Sequence, residues 1–66
     1  MKVTVNGTDQ DVPEAIALPS LIESLGLRPG SVVVERNGEA LTPGELRATV
    51  LTDGDRLEIV RAVAGG

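Results

Sequence analysis

Apolar and polar positions along this chain change period several times, and each change marks an element. Val3 and Val5 alternate with Lys2 and Thr4, the two-residue period of a half-buried strand. Asn6-Gly7 follows, the dipeptide best suited to a type I′ turn with two positive φ angles, so a hairpin opens the chain. Its return arm, residues 8–12, is polar and carries Asp9 and Asp11; it reads as an exposed edge strand that ends at Pro13. Leu18, Leu21, Ile22 and Leu25 then fall at i, i+3, i+4 and i+7, the apolar stripe of a helix. Pro19 suits its first turn and Gly26 the left-handed position past its end, which predicts a helix over 19–25. Leu27 is expected to fold back beneath that end.

Arg28-Pro29-Gly30 predicts a turn, and Val32-Val33-Val34-Glu35-Arg36 a second strand. Asn37-Gly38 repeats the hairpin signal, with Glu39-Ala40-Leu41 as a short return arm. Thr42-Pro43-Gly44-Glu45 reads as a turn or a single helical turn, with Leu46 as a plug for the core, and residues 49–51 as a short strand. Thr52-Asp53-Gly54-Asp55 is a tight turn into a last strand over 56–63. Alternation there directs Leu57, Ile59 and Arg61 toward the helix and Glu58, Val60 and Ala62 to the open face. Hairpin, helix, hairpin, turn and last strand make an α+β arrangement: one mixed sheet of four to five strands with one packed helix. This is the β-grasp, or ubiquitin-like, pattern. It places the first and last strands side by side in the sheet centre and leaves residues 64–66 as a flexible Gly-Gly tail. Residues 1–66 are expected to form a single domain, with no internal repeat or linker.

Composition narrows the chemistry. The 66 residues include no cysteine, histidine or aromatic side chain, which removes disulfides, thiol nucleophiles, imidazole bases and any plausible zinc site. An all-aliphatic core of this size supplies about 3–5 kcal/mol. Six basic and ten acidic side chains give a net charge of −4, which disfavours nucleic acid; the missing aromatics remove base stacking as well. An acidic surface favours a partner with a basic face, or serves solubility alone. No apolar run approaches the roughly 20 residues of a membrane span, and Met1-Lys2 leads directly into the first strand, so a cytoplasmic protein is expected, without membrane attachment.

Gly65-Gly66 is the one feature that asks for chemistry. A frayed, solvated end is the bland reading of two such glycines. The functional reading is steric: without Cβ atoms, Gly-Gly can slide through a channel too narrow for side chains and deliver the Gly66 carboxylate to a buried site. That carboxylate is ionised at neutral pH and a poor electrophile, so it must be activated, the general solution being an acyl-adenylate. The chain has no phosphate-binding G-x-x-x-x-G-K-[ST] loop, no basic cluster for a triphosphate and no dedicated metal ligands. It is expected to be no enzyme and to bind no cofactor; ATP and Mg²⁺ would belong to an activating enzyme.

Other residues are weighed against plainer roles. Asp53-Gly54-Asp55 lacks the spaced oxygen ligands of a calcium loop and reads as a turn. Asp9 and Asp11 share a strand face as a charged edge, with no companion base for acid/base work. Val33, Val60 and Ala62, with Ala64 and Gly65 beyond them, form a candidate partner-binding patch; scattered surface aliphatics are the plain alternative. Arg36, Arg56 and Arg61 could meet partner carboxylates or pair internally with Glu35 or Glu58.

Over essentially its full length the chain resembles the ThiS family, sulfur carriers of thiamin thiazole biosynthesis within the wider ThiS/MoaD ubiquitin-like group. The resemblance rests on Val5-Asn6-Gly7, on Val32-Val33-Val34-Glu35-Arg36-Asn37-Gly38-Glu39, and above all on Asp53-Gly54-Asp55-Arg56-Leu57-Glu58-Ile59-Val60 running into Val63-Ala64-Gly65-Gly66. Pro19 stands where an ordinary helix former is expected. The resemblance implies a ThiF-type enzyme that adenylates Gly66, a cysteine desulfurase persulfide that turns it into a thiocarboxylate, and a thiazole synthase, ThiG, that takes the sulfur. Three alternatives stay open: a MoaD-like small subunit of molybdopterin synthase or a carrier for another sulfur-transfer pathway, a ubiquitin-like protein modifier, and a passive β-grasp interaction module. MoaD-like chains are typically longer and usually carry aromatics near the last strand.

Overall fold

The computed structural model describes residues 1–62. Five strands form one mixed sheet: β1 Lys2–Val5, β2 Thr8–Asp11, β3 Val32–Arg36, β4 Glu39–Ala40 and β5 Arg56–Arg61, in the order β2-β1-β5-β3-β4. Helices α1 Leu18–Ser24 and α2 Pro43–Ala48 pack against each other, with a 3₁₀ turn Pro29–Ser31 ahead of β3. β1 and β5 run parallel as neighbours and β5 pairs antiparallel with β3, so the expected central placement of the first and last strands holds.

Both Asn-Gly turns form as expected, with positive φ at Asn6, Gly7, Asn37 and Gly38. β1 ends at Val5, yet β5 continues past it and still presents backbone groups on that side. The Asn6 amide takes the place of a further strand residue: its Nδ2 donates to the Ile59 carbonyl at 3.0 Å and its Oδ1 accepts from the Ile59 N–H at 2.8 Å. An open gap in the ladder is thereby closed by one side chain.

α1 begins at Leu18, one residue ahead of the expected start, because Pro19 fits the first turn. It ends in a Schellman motif around Gly26: Leu27 N–H donates to the Ile22 carbonyl and Gly26 N–H to that of Glu23. Leu27 folds back and packs against the core as expected. The core is aliphatic throughout. Leu18, Leu21 and Ile22 of α1 and Leu46 of α2 close over Val3, Val5, Val32, Val34, Leu57 and Ile59 of the sheet, with Leu51 beside them. Leu25, the last member of the stripe, caps the helix end and is exposed.

Three expectations change. Residues 42–48 do not stop at one turn: Thr42 and Glu45 form a reciprocal capping box, with Thr42 N–H donating to Glu45 Oε1 at 2.8 Å and Glu45 N–H to Thr42 Oγ1 at 3.1 Å, and a second short helix follows. The short strand expected over 49–51 is a single bridge between Val50 and Ala17. The return arms are briefer than expected, and β5 stops at Arg61 rather than running on toward 63; Val63 lies outside the described residues.

Among the described residues no helix is long and apolar enough to cross a membrane.

Candidate functional site: the open sheet face and the end of strand β5

β5 alternates by strand geometry, and its neighbours decide what each face does. Leu57 and Ile59 are buried under α1, while Glu58 and Val60 point to the uncovered face. The β3–β5 register places Val33 directly opposite Val60. These two are 48% and 57% exposed, so a pair of apolar side chains stands in contact range on water. One step along, Glu35 lies opposite Glu58, two like charges facing each other at the border of the apolar pair. Ala62, one residue past β5, is exposed, and its N–H donates to the Ser31 carbonyl at 2.9 Å. The structure thus brings Val33, Val60 and Ala62 to the end of the sheet from which residues 63–66 continue. Ala64, Gly65 and Gly66, and with them the expected flexible tail, lie outside the described residues.

The other end of β5 is fixed by a group that the sequence reading took for part of a turn. Gly54, at φ +86°, makes that turn as expected, but Asp55 is only 5% exposed. Its carboxylate accepts from Arg36 Nη2 at 2.8 Å and Nε at 3.1 Å, from Asn37 Nδ2 at 3.1 Å, and from the Thr52 N–H at 2.9 Å and hydroxyl at 3.2 Å. Burial pushes the Asp55 carboxyl up. The hydrogen bonds from Thr52, Asn37 and Arg36, with the Arg36 charge, together outweigh it and hold the carboxyl below the usual carboxylate range. Asn37 also accepts from the Arg56 N–H at 2.9 Å, so the second hairpin turn, the 52–55 turn and the start of β5 are locked together. That lock sets the phase of β5 and hence which residues reach the open face.

Arg36 therefore pairs with Asp55 rather than with Glu35 or Glu58, because its parity with Val32 and Val34 turns it to the core-facing side. Among the described residues, Arg56 and Arg61 form no ion pair. The signal for Asp55 was present: it stands two residues before Leu57 and shares the parity of Leu57 and Ile59. Asp9 accepts from the Thr4 hydroxyl at 3.1 Å on the β2 edge, consistent with the charged edge expected there. Among the described residues no group of three or more acidic, histidine or cysteine side chains is arranged to hold a metal ion.

A five-stranded sheet in this order, with the first and last strands central and α1 packed across one face, defines a β-grasp protein. The model of the ThiS family matches residues 3–66, and the chain belongs to that family. A crystal structure of the thiamine biosynthesis protein ThiS from Geobacter metallireducens is 35% identical, with a TM-score of 0.82 and all of both chains covered. A solution structure of a thiamine biosynthesis protein from the same organism is also 35% identical, with a TM-score of 0.76, covering 100% of this chain and 88% of that one. Two curated relatives are thiazole synthases, from Magnetococcus marinus at 35% identity and from Paramagnetospirillum magneticum at 33%. Each matches 100% of this chain, which spans only 20% of their length.

Proposed function

We propose that this chain carries sulfur for thiazole formation on the carboxyl of Gly66. The observation that carries the reading is the family match through residue 66, which includes Gly65 and Gly66 together with the strand that leads to them. In the proposed cycle a ThiF-type enzyme supplies ATP and Mg²⁺. A Gly66 carboxylate oxygen attacks the α-phosphorus, pyrophosphate leaves, and an acyl-adenylate forms. The terminal sulfur of a cysteine desulfurase persulfide then attacks the acyl carbon and AMP leaves. A partner thiolate cleaves the resulting S–S bond, releasing the Gly66 thiocarboxylate and a disulfide on the partner side. The thiol must be the partner's, since the chain has no cysteine.

This chain contributes shape and position. Gly65 and Ala64 offer little or no side chain to obstruct a channel. Val33, Val60 and Ala62 give an apolar docking patch at its entrance. The acceptor in this reading is a thiazole synthase. Support comes from the two relatives of that name, which match this whole chain within a fifth of their own length, as expected where carrier and acceptor work together. Residues 1–66 act as one unit, with 64–66 as its reactive end, in the cytoplasm.

Deleting Gly66 tests the reading. The truncated protein is expected to keep its thermal midpoint but to lose ATP–pyrophosphate exchange with a ThiF-type enzyme of its host. Exchange at the full-length rate would reject it. An intact mass from native cells that shows one oxygen replaced by sulfur at Gly66 separates a sulfur carrier from a protein modifier.

A further inference from the structure

Where β5 ends, the acidic character of the protein is locally reversed. Arg61, the last residue of β5, and Arg28, between α1 and the 3₁₀ turn, line a groove of about 270 Å³ with Leu27, Ser31 and Ala62. Among the described residues no acidic side chain lines it, and its two arginines stand out in a chain whose net charge is −4. Both arginines are exposed, and among the described residues neither forms an ion pair. A purely structural use would be to neutralise the end of α1. That end is already closed, because Gly26 and Leu27 satisfy the Glu23 and Ile22 carbonyls. The Ala62–Ser31 hydrogen bond of 2.9 Å holds the start of the reactive segment at the rim of this groove.

We propose that the Arg28–Arg61 groove receives carboxylate side chains of the activating protein, at the mouth of the channel that takes in Gly66; this rests on the carrier reading above. An arginine pair suits carboxylates because each guanidinium offers two parallel N–H donors. Phosphate groups share that chemistry, and reach decides between the two sources. Gly66 lies four residues beyond Ala62. An extended chain spans at most about 3.3–3.6 Å per residue, so a segment drawn into a buried site carries its carboxyl roughly 14 Å from the groove. The α-phosphate under attack is in bonding distance of that carboxyl. The groove therefore faces what surrounds the entrance, and the anion there belongs to the partner's surface. Because the rest of this chain repels an acidic surface, two cations at one spot fix the orientation of docking as well as adding attraction.

The test is calorimetric titration of the wild type and of the double variant R28Q/R61Q onto a ThiF-type enzyme of the host, at low and high salt, first without nucleotide. The variant is expected to bind about tenfold more weakly at low salt, with a flatter salt dependence and an unchanged thermal midpoint. Equal affinity and equal salt dependence, while the wild type still supports pyrophosphate exchange, overturns the proposal and leaves the carrier reading intact. A loss confined to titrations containing ATP assigns the groove to the nucleotide's phosphates and also overturns it. A wild type that neither binds nor is adenylated defeats the carrier reading and this proposal together.

Discussion

The two faces of β5 share one backbone and do opposite work. On the covered face Leu57 and Ile59 are packed beneath α1 in the aliphatic core, and the ladder is completed even where β1 runs out, by the Asn6 amide. On the open face Val60 meets Val33 in water and Glu58 meets Glu35, a pairing of like charges that costs stability. A strand optimised for folding alone would carry small polar or oppositely charged pairs there. The covered face thus holds the strand in place so that the open face can present surface that folding does not need.

Three changes would break or sharpen that contrast. The largest effect is expected from Ile59→Ala on the covered face: large-to-small changes of this kind cost about 2–5 kcal/mol. That rivals the whole stability of an aliphatic domain this small, about 3–5 kcal/mol. Far-UV circular dichroism should find the variant largely unfolded at 25 °C, and a urea midpoint like the wild type's would contradict the assignment of Ile59 to the core.

Next is Asp55→Asn, which keeps the shape of the lock but removes its charge, and is expected to cost about 1.5–3 kcal/mol. The folded-state carboxyl sits below its ordinary range, whereas in the unfolded chain it titrates near its reference value of about 3.9. Its contribution is therefore complete above about pH 4 and is lost as pH falls through the lower folded value. Urea titrations from neutral to acid pH should show a shallower acid decline for the variant, and parallel declines would show that Asp55 is not a source of the slope. The smallest effect on folding is expected from Val60→Asp, within about 0.5 kcal/mol as for other surface positions. Affinity for the activating enzyme should nevertheless fall, and equal binding would remove Val60 from the docking patch.

Much of this was legible from the residues. Two Asn-Gly turns, a 3-4 spaced leucine stripe and alternating strands are local signals, and each element stands where its signal places it to within a residue or two. The central placement of the first and last strands was legible as well, from the order of the elements and the apolar character of those two strands. What escaped was the polar wiring. Asp55 and Arg36 both have core-facing parity, yet a charge at such a position reads as a turn or a surface residue until the other member of the pair is known to lie beside it, 19 positions away in sequence. The Asn6–Ile59 staple, 53 positions apart, is hidden for the same reason: a side chain that stands in for a missing strand is visible only once the strands are aligned. α2 extends beyond its sequence signal because the capping box of Thr42 and Glu45 looks like a turn when Pro43-Gly44 stands inside it. The groove at the end of β5 has no signal in the sequence, since Arg28 and Arg61 come together only through the fold.

The flanking of β5 by a parallel neighbour on one side and an antiparallel one on the other has a mechanical consequence. Traction applied at Arg61 would act along the strand axis and strain the bonds to β1 and β3 together rather than peeling them away in succession. A domain with so small an aliphatic core is thus built to stay taut when pulled from the end of its central strand.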